Sequence, residues 1–357
     1  MKIALSVIGT GYIAQRFLKL LPKYPDVSLD YVLTRRPIDE VWVTIPKVTR
    51  DPSALIGSDI IVDFSNDAKY LYNLIKDYYS TKKIVTFNSE FHVTYPNITK
   101  EYPSLRITEG EGDQPGSFAV LERKIRQLNL EPLMFINHKR YLDYNPSPDS
   151  MKEWAKKYGL SEKITVASTD GTKVSFETAF VANAFGLTVP IADSKQSYYY
   201  HEYDLYPPID KLAFIVLSNT KGINIAAQVT KKTPIKDIQY LGVSLNDKTW
   251  TEFSIPFHLC QYDIINTIRD LYYRNDILLN GSFGRYRYNV YAISKTWLNP
   301  GDTITTGIGG YDVRGELKDI NDFTDRQPLP IIDCENVRVK VEITPGMLIY
   351  KDMVEPI

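Results

Sequence analysis

Gly9-Thr10-Gly11-Tyr12-Ile13-Ala14 is the stretch of this 357-residue chain that most restricts its fold. An apolar run from Ile3 to Ile8 leads into it. Phe17, Leu18, Leu20 and Leu21 follow at helical spacing, and Pro22 ends the helix. A strand, a glycine turn and a helix in that order form the G-x-G-x-x-A variant of the dinucleotide fingerprint. Gly9 permits the tight turn, Gly11 lets the backbone approach a pyrophosphate, and Ala14 lets the helix pack close to the strand. The start of the helix offers unpaired N–H groups to phosphate, so Gly9, Thr10, Gly11, Tyr12 and Ile13 are the expected contacts. A glycine turn without a ligand is the plainer alternative.

The next strand, Leu29 to Leu33, ends in Thr34-Arg35-Arg36 rather than in the acid that an NAD site places there for the ribose hydroxyls. Two guanidinium groups suit a 2′-phosphate, so Arg35 and Arg36 point to NADP over NAD, with a solvated basic turn as the alternative. Ile60 to Phe64 is a further strand. Ser65-Asn66-Asp67 opens the helix after it, beside the cofactor, with Asn66 as a polar contact or a helix cap. Ile84 to Phe87 then ends in Asn88-Ser89-Glu90. Alternating strands and helices predict a doubly wound parallel sheet.

An acidic stretch punctuated by glycine, Thr108-Glu109-Gly110-Glu111-Gly112-Asp113-Gln114-Pro115-Gly116, links a short strand to the amphipathic run from Phe118 to Leu128. Such a junction lies at the carboxyl ends of the strands, where ligands bind in α/β sheets. Asp113 and Gln114 are its expected working residues, and Glu109 is read as a solvated neighbour. Glu90, Glu111 and Asp113 are oxygen donors that suit a divalent metal. Hydrogen bonding to substrate hydroxyls is a second reading, and helix capping a third for Asp113 and Asp170. Further on, Pro132 to Ile136 is a strand ending in Asn137-His138-Lys139-Arg140. Ser147-Pro148-Asp149 starts a helix that Gly159 closes, and Thr169-Asp170-Gly171-Thr172-Lys173 opens another. Hydride transfer to a carbonyl needs a general acid near the oxygen. Lys139 and Lys173, each after a polar break at the end of an element, are the candidates, with surface salt bridges as the alternative. No pair of the four histidines has a zinc spacing.

Three segments then stand together: Asn88-Ser89-Glu90-Phe91-His92-Val93-Thr94, Glu111-Gly112-Asp113-Gln114-Pro115-Gly116, and Asp170-Gly171-Thr172-Lys173 with Val181-Ala182-Asn183-Ala184. In these the chain resembles the homoserine-dehydrogenase-like oxidoreductases that carry a C-terminal SAF domain. Their deoxyxylulose phosphate reductoisomerase-like branch uses NADPH, with a divalent metal, on a phosphorylated ketose. The resemblance covers nearly the whole chain. It implies a lysine as proton donor, with Asp113 and Asp170 in the catalytic group. It turns Glu90, Gln114, Asn137 and His258 toward the substrate, and Ser65, Asn66 and Asn88 toward the cofactor. The chain departs from the family where Arg140 replaces a glycine after Lys139. It departs again in Pro256-Phe257-His258-Leu259, where the family has tyrosine, and in the tyrosine-rich segment 198–203. These changes bear on the substrate more than on the cofactor.

The C-terminal third holds apolar runs from Leu212 to Leu217 and from Gly222 to Val229, a further strand over 240–243, and a helix marked by Ile264, Ile265, Ile268 and Leu271. From Tyr286 short strands and turns take over. Leu298-Asn299-Pro300-Gly301 is echoed by Ile343-Thr344-Pro345-Gly346, a pattern of proline–glycine turns that suits a small all-β module. The expected organisation is an α/β Rossmann domain over 1–136, an α+β substrate domain over 137–285 and an all-β SAF-like (β-clip) domain over 286–357. A net charge of −1 implies no general attraction to nucleic acid or to an anionic membrane. No apolar run approaches a bilayer span, and two distant cysteines fit a reducing compartment, so a cytoplasmic homo-oligomer acting on a small molecule is expected. The expected activity is NADP-dependent reduction of a small polar carbonyl compound, such as a phosphorylated or activated sugar, with or without rearrangement. Homoserine dehydrogenase and a non-enzymatic NADP-binding sensor or assembly protein are the alternatives.

Overall fold

A computed structural model of the chain describes residues 2–38, 47–189, 212–217, 222–240, 243–245 and 249–357. The tyrosine-rich segment 198–203 lies outside them. The first half builds one six-stranded sheet in the order β3-β2-β1-β4-β5-β6. Its strands are β1 (Ile3–Ile8), β2 (Val27–Leu33), β3 (Val48–Thr49), β4 (Ile60–Asp63), β5 (Lys83–Thr86) and β6 (Arg106–Glu109). Every pair is parallel. Parallel sheets are covered on both faces, and β1 and β4 are accordingly near-continuous apolar runs. Helices α1 (Tyr12–Leu20), α2 (Ala68–Leu74), α3 (Ser89–Thr94), α4 (Ile98–Glu101) and α5 (Gln114–Gln127) follow the strands. The strand order reverses between β1 and β4, so the fingerprint turn opens at the switch point where such sheets bind ligands. The expected Rossmann architecture is present.

A second sheet has the order β10-β9-β7-β8. It comprises β7 (Leu130–Lys139), β8 (Leu212–Leu217), β9 (Ile223–Val229) and β10 (Trp250–Ile255). Thus β7 belongs to this sheet although it begins ahead of the expected boundary at 136. Helices α6 (Pro148–Tyr158), α7 (Glu162–Thr169) and α8 (Thr172–Phe185) lie between β7 and β8 in the chain. Ser147 and Ser150 form a reciprocal cap at the start of α6, and Gly159 closes it in the left-handed conformation. Helix α9 (Ile235–Tyr240) corrects the strand expected over 240–243: Tyr240 ends the helix, and Val243 N–H bonds back to Ile238 O at 3.2 Å. Residues 241–242 lie outside the described ones. Helix α10 (Cys260–Arg274) returns to the first sheet. Its Ile264, Ile268 and Leu271 are fully buried in one core with Ile3, Phe17 and Val62.

The C-terminal module pairs β11 (Tyr288–Ser294) with β13 (Val313–Asp319), and flanks β14 (Val337–Val339) with β12 (Thr303–Ile304) on one side and β15 (Val354–Pro356) on the other. The two echoed segments meet: Leu298 and Ile343 exchange backbone hydrogen bonds of 2.9 Å each way. Their side chains join a core shared with Phe176, Phe180 and Val181, so the module is packed onto α8. Helix α8 is buried almost all round, which makes its polar residues Lys173, Glu177 and Asn183 exceptional.

Candidate active site

A cavity of about 520 Å³ opens at the switch point. Gly9, Thr10 and Gly11, Thr34 to Arg36 and Phe64 to Tyr70 line its near side, and Glu90 lies at its inner end. Gly9 has φ +101°, and a Cβ there would come within 3.0 Å of the Phe64 carbonyl oxygen. Gly11 is different. A Cβ there meets nothing within 4 Å, so no protein atom requires glycine at this position. Tyr12 and Ile13 do not line the cavity and can meet a phosphate through their backbone N–H groups only. Tyr12 instead reaches across to α6, where a Cβ on Gly159 would lie 3.6 Å from its ring.

Arg35 stacks over the Tyr70 ring, 4.4 Å from its centroid, and donates to Asp67 Oδ2 at 2.7 Å. Arg36 makes no ion pair among the described residues. Asn66 does not cap α2. It adopts φ +50°, and Asp67 caps instead, accepting from Tyr70 N at 3.0 Å. Ser65 lines the cavity, and its buried hydroxyl has no hydrogen-bond partner among the described residues. Asn88 caps α3 through Oδ1, which leaves its buried amide nitrogen without a partner among the described residues. Cradle, helix start, two arginines and unspent polar atoms fit a nicotinamide dinucleotide.

Beyond Glu90 the starts of α3, α5 and α8 and the end of β7 bring acids and lysines together. Glu177 is 1% exposed, and its Oε2 accepts from Asn137 Nδ2 at 3.2 Å and from Lys139 Nζ at 3.3 Å. The Gln114 amide satisfies its neighbours with its nitrogen turned to the acids. It then donates to Asp113 Oδ1 (2.7 Å) and Glu177 Oε1 (3.1 Å), while its oxygen accepts from Lys139 Nζ (3.0 Å). Lys139 is therefore committed within the network. Lys173 makes no hydrogen bond or ion pair within 4.0 Å among the described residues. Burial disfavours its charge, but Asp113, Glu177 and Glu90 outweigh that and hold its pKa above the usual lysine value. Burial raises Glu90 to about 7 against the pull of Lys173.

Two further residues stand directly behind this cluster. Glu109, read as solvated from its acidic surroundings, is fully buried. Its N–H donates to Leu279 O at 2.7 Å, and its Oε2 lies 3.4 Å from His92 Nε2. Burial, with Asp113 nearby, pushes its carboxyl well above the usual range. His92 Nδ1 accepts from Gly281 N at 3.2 Å, and burial holds the ring neutral by lowering its pKa to about 3. In that tautomer Nε2 carries the hydrogen and faces Glu109.

The structure separates Asp170, His258 and Glu111 from the cluster and keeps Asp113 in it. Asp170 is fully buried at the turn before α8, accepts from Thr172 N at 2.9 Å, and has Lys295 and Arg314 of the C-terminal module as its charged neighbours. Asp113 stands at the N-cap of α5, yet its side chain makes no capping bond. His258 is turned from the cluster: its Nδ1 contacts Gly112 O at 3.0 Å, an oxygen that also accepts from Cys260 Sγ. Glu111 faces α10, accepting from Asn266 Nδ2 at 3.0 Å. Among the described residues no group of three or more His, Cys, Asp or Glu is arranged to hold a metal ion. Glu90, Asp113 and Glu177 act instead on the cation of Lys173, and Glu111 faces away to α10. Glu177 and Glu109 escape the motif pattern. Glu177 had a readable signal, since it lies four residues after Lys173 on one helical face.

A family model described as the catalytic domain of oxidoreductase DRL matches residues 112–203, less than half of the chain. The matched span holds Asp113, Gln114, Asn137, Lys139, Lys173 and Glu177. No curated protein matches the sequence. Among solved structures, a hyperthermophilic archaeal homoserine dehydrogenase in complex with NADPH is similar at 12% identity and a TM-score of 0.45, over 76% of this chain and 97% of that one. An oxidoreductase from Bacillus cereus is similar at 11% identity and a TM-score of 0.41, over 79% and 92%. A dihydrodipicolinate reductase from Paenisporosarcina is similar at 12% identity and a TM-score of 0.36, over 76% and 93%. No helix among the described residues is long and apolar enough to cross a membrane.

Proposed function

We propose that this NAD(P)-dependent oxidoreductase reduces the carbonyl group of a small polar substrate with NADPH, and that Lys173 gives the proton to the carbonyl oxygen. A bound reduced nicotinamide supplies the hydride for the carbonyl carbon. The observation that carries the reading is the position of Glu90, which lines the dinucleotide cleft and is also a charged neighbour of Lys173. Lys173 stabilises the negative charge that develops on the oxygen and transfers a proton to an alkoxide far more basic than any amine. Glu90 borders it and can return that proton. Lys139 serves as a positioning residue that locks Glu177 and Gln114. A phosphorylated or activated sugar is the substrate class we favour, with exposed Arg140 at the end of β7 as a cation for its anionic group. The C-terminal module is read as a SAF-like fold on its paired proline–glycine turns.

The test is NADPH oxidation by the full-length protein against small polar aldehydes and ketones, ketose phosphates among them, with homoserine oxidation as the comparison. Binding of the dinucleotide without turnover of any carbonyl would overturn the catalytic reading in favour of a sensor. Arg36→Ala is expected to weaken NADPH by about ten- to a hundredfold, the worth of a charge-assisted hydrogen bond, with NADH nearly unchanged. Titration of both dinucleotides checks this, and equal losses would point to NAD. The pH dependence has a stated sign. Glu90 must be protonated to restock Lys173, so the reduction rate falls as pH rises through about 7. Glu90→Gln should lower the rate and remove that inflection.

A further inference from the structure

The far wall of the dinucleotide cleft is not made by the parallel sheet. Lys163 and Ile164 of α7 and Ile331, Ile332 and Glu335 of the C-terminal module supply it. Ile332 also packs against the apolar core of the first sheet. Two ion pairs secure this wall. Lys69 Nζ, at the start of α2, lies 2.9 Å from Asp333 Oδ1 and ties the module to the cofactor half. Lys163 Nζ lies 3.8 Å from Glu335 Oε1 and ties it to α7. Lys69 itself lines the cavity beside Arg35 and Tyr70, whereas Asp333 does not. The end of β2 is where such sheets hold the adenosine ribose, so the Lys69–Asp333 pair spans the cleft at its adenosine end.

We propose that Lys163 and segment 331–335 form the second wall of the cofactor site, and that the Lys69–Asp333 ion pair is the latch that opens before the dinucleotide leaves. The chemistry of the wall suits this occupant: Lys69 and Lys163 offer cations to phosphate, and Ile164, Ile331 and Ile332 offer an apolar surface to an adenine face. Both latch side chains are 47% exposed, which makes the pair weak enough to open in each catalytic cycle. The proposal gives the C-terminal module a direct part in cofactor retention. It rests on the reading of the cleft as a nicotinamide dinucleotide site.

The test is stopped-flow release of NADPH from the full-length protein, followed by fluorescence with excess NADP as the chase. Asp333→Lys is the informative variant, because it places a cation near an anionic cofactor and by simple attraction should slow release. The latch requires the opposite, release faster by about threefold to fivefold, which is the upper range for an exposed ion pair. Lys69→Glu should quicken release at least as much. The double charge swap should return the rate to within about twofold of the original, as a coupled pair demands. Unchanged or slower release in Asp333→Lys, or a double variant no better than Lys69→Glu, would overturn the latch. Failure of the unaltered protein to bind NADPH or NADH would instead overturn the reading of the cleft.

Discussion

Replacing Lys173 with methionine is expected to lower kcat by about 10²- to 10⁴-fold, the usual contribution of a positioned general acid, while NADPH affinity changes little. Methionine keeps the unbranched stem in its packed place on α8 and removes only the ammonium. Lys173 is not among the residues that line the cleft, where Gly9 to Gly11 and Thr34 to Arg36 are the expected cofactor contacts, so binding should survive. The same substitution strips Glu90, Asp113 and Glu177 of their shared cation, and removing one partner of a buried charge group costs about 3–5 kcal/mol. Stability should therefore fall, and fall further with rising pH. The sign follows from Glu90, whose folded pKa is already raised above its unfolded value and rises again when Lys173 no longer opposes the shift. The folded variant then holds a proton that the unfolded chain releases, so stability declines as pH rises from the ordinary carboxyl range to beyond about 7. Thermal denaturation across that window, alongside kcat and NADPH titration, measures all three effects. Activity retained at roughly a tenth or more of the original, well short of the hundredfold loss that a general acid implies, would remove Lys173 from catalysis.

How much of this was legible in the sequence depended on whether the controlling interaction was local. The fingerprint turn was readable because strand, Gly9, Gly11 and helix are adjacent, and one short peptide dictates their conformation. The same holds for Ser147 and Gly159 at the two ends of α6. Glu109 was not readable. Five neighbouring positions of acid and glycine describe a solvated loop, yet Leu279, distant in the chain, covers the backbone and His92 meets the carboxyl. Asp170 and Lys173 stand three positions apart at one helix start, but α8 turns Lys173 to the acids and leaves Asp170 facing Lys295 and Arg314. Sequence spacing places both at the same helix end and does not fix which partner packs on each side. Helix α10 shows the same limit at the scale of an element: its apolar stripe was plain, and its return to the first sheet was a matter of tertiary packing.

The glycines offer the second large effect, because two of them are expected to be required for opposite reasons. A Cβ on Gly116, in the first turn of α5, would fall 2.0 Å from the Gly110 carbonyl oxygen and 2.7 Å from its carbon, both backbone atoms. No side chain can swing aside, so in Gly116→Ala either α5 or the 109–113 loop must move. Overpacking of this kind costs about 1–3 kcal/mol, and displacing catalytic groups by about 1 Å can cost a hundredfold in rate. Asp113 and Gln114 ride on this junction, and Gln114 in turn holds Glu177 and Lys139. Gly116→Ala is therefore expected to lower both the melting temperature and kcat while leaving NADPH affinity within a few-fold. Gly11→Ala should do the reverse: its added methyl meets no protein atom within 4 Å, so stability should hold while cofactor affinity falls. Thermal melts and NADPH titrations of the two variants side by side measure the contrast. Equal loss of affinity in both would mean that the 109–116 junction is part of the cofactor site, whereas the opposed pattern separates a glycine required by the fold from one required by the ligand.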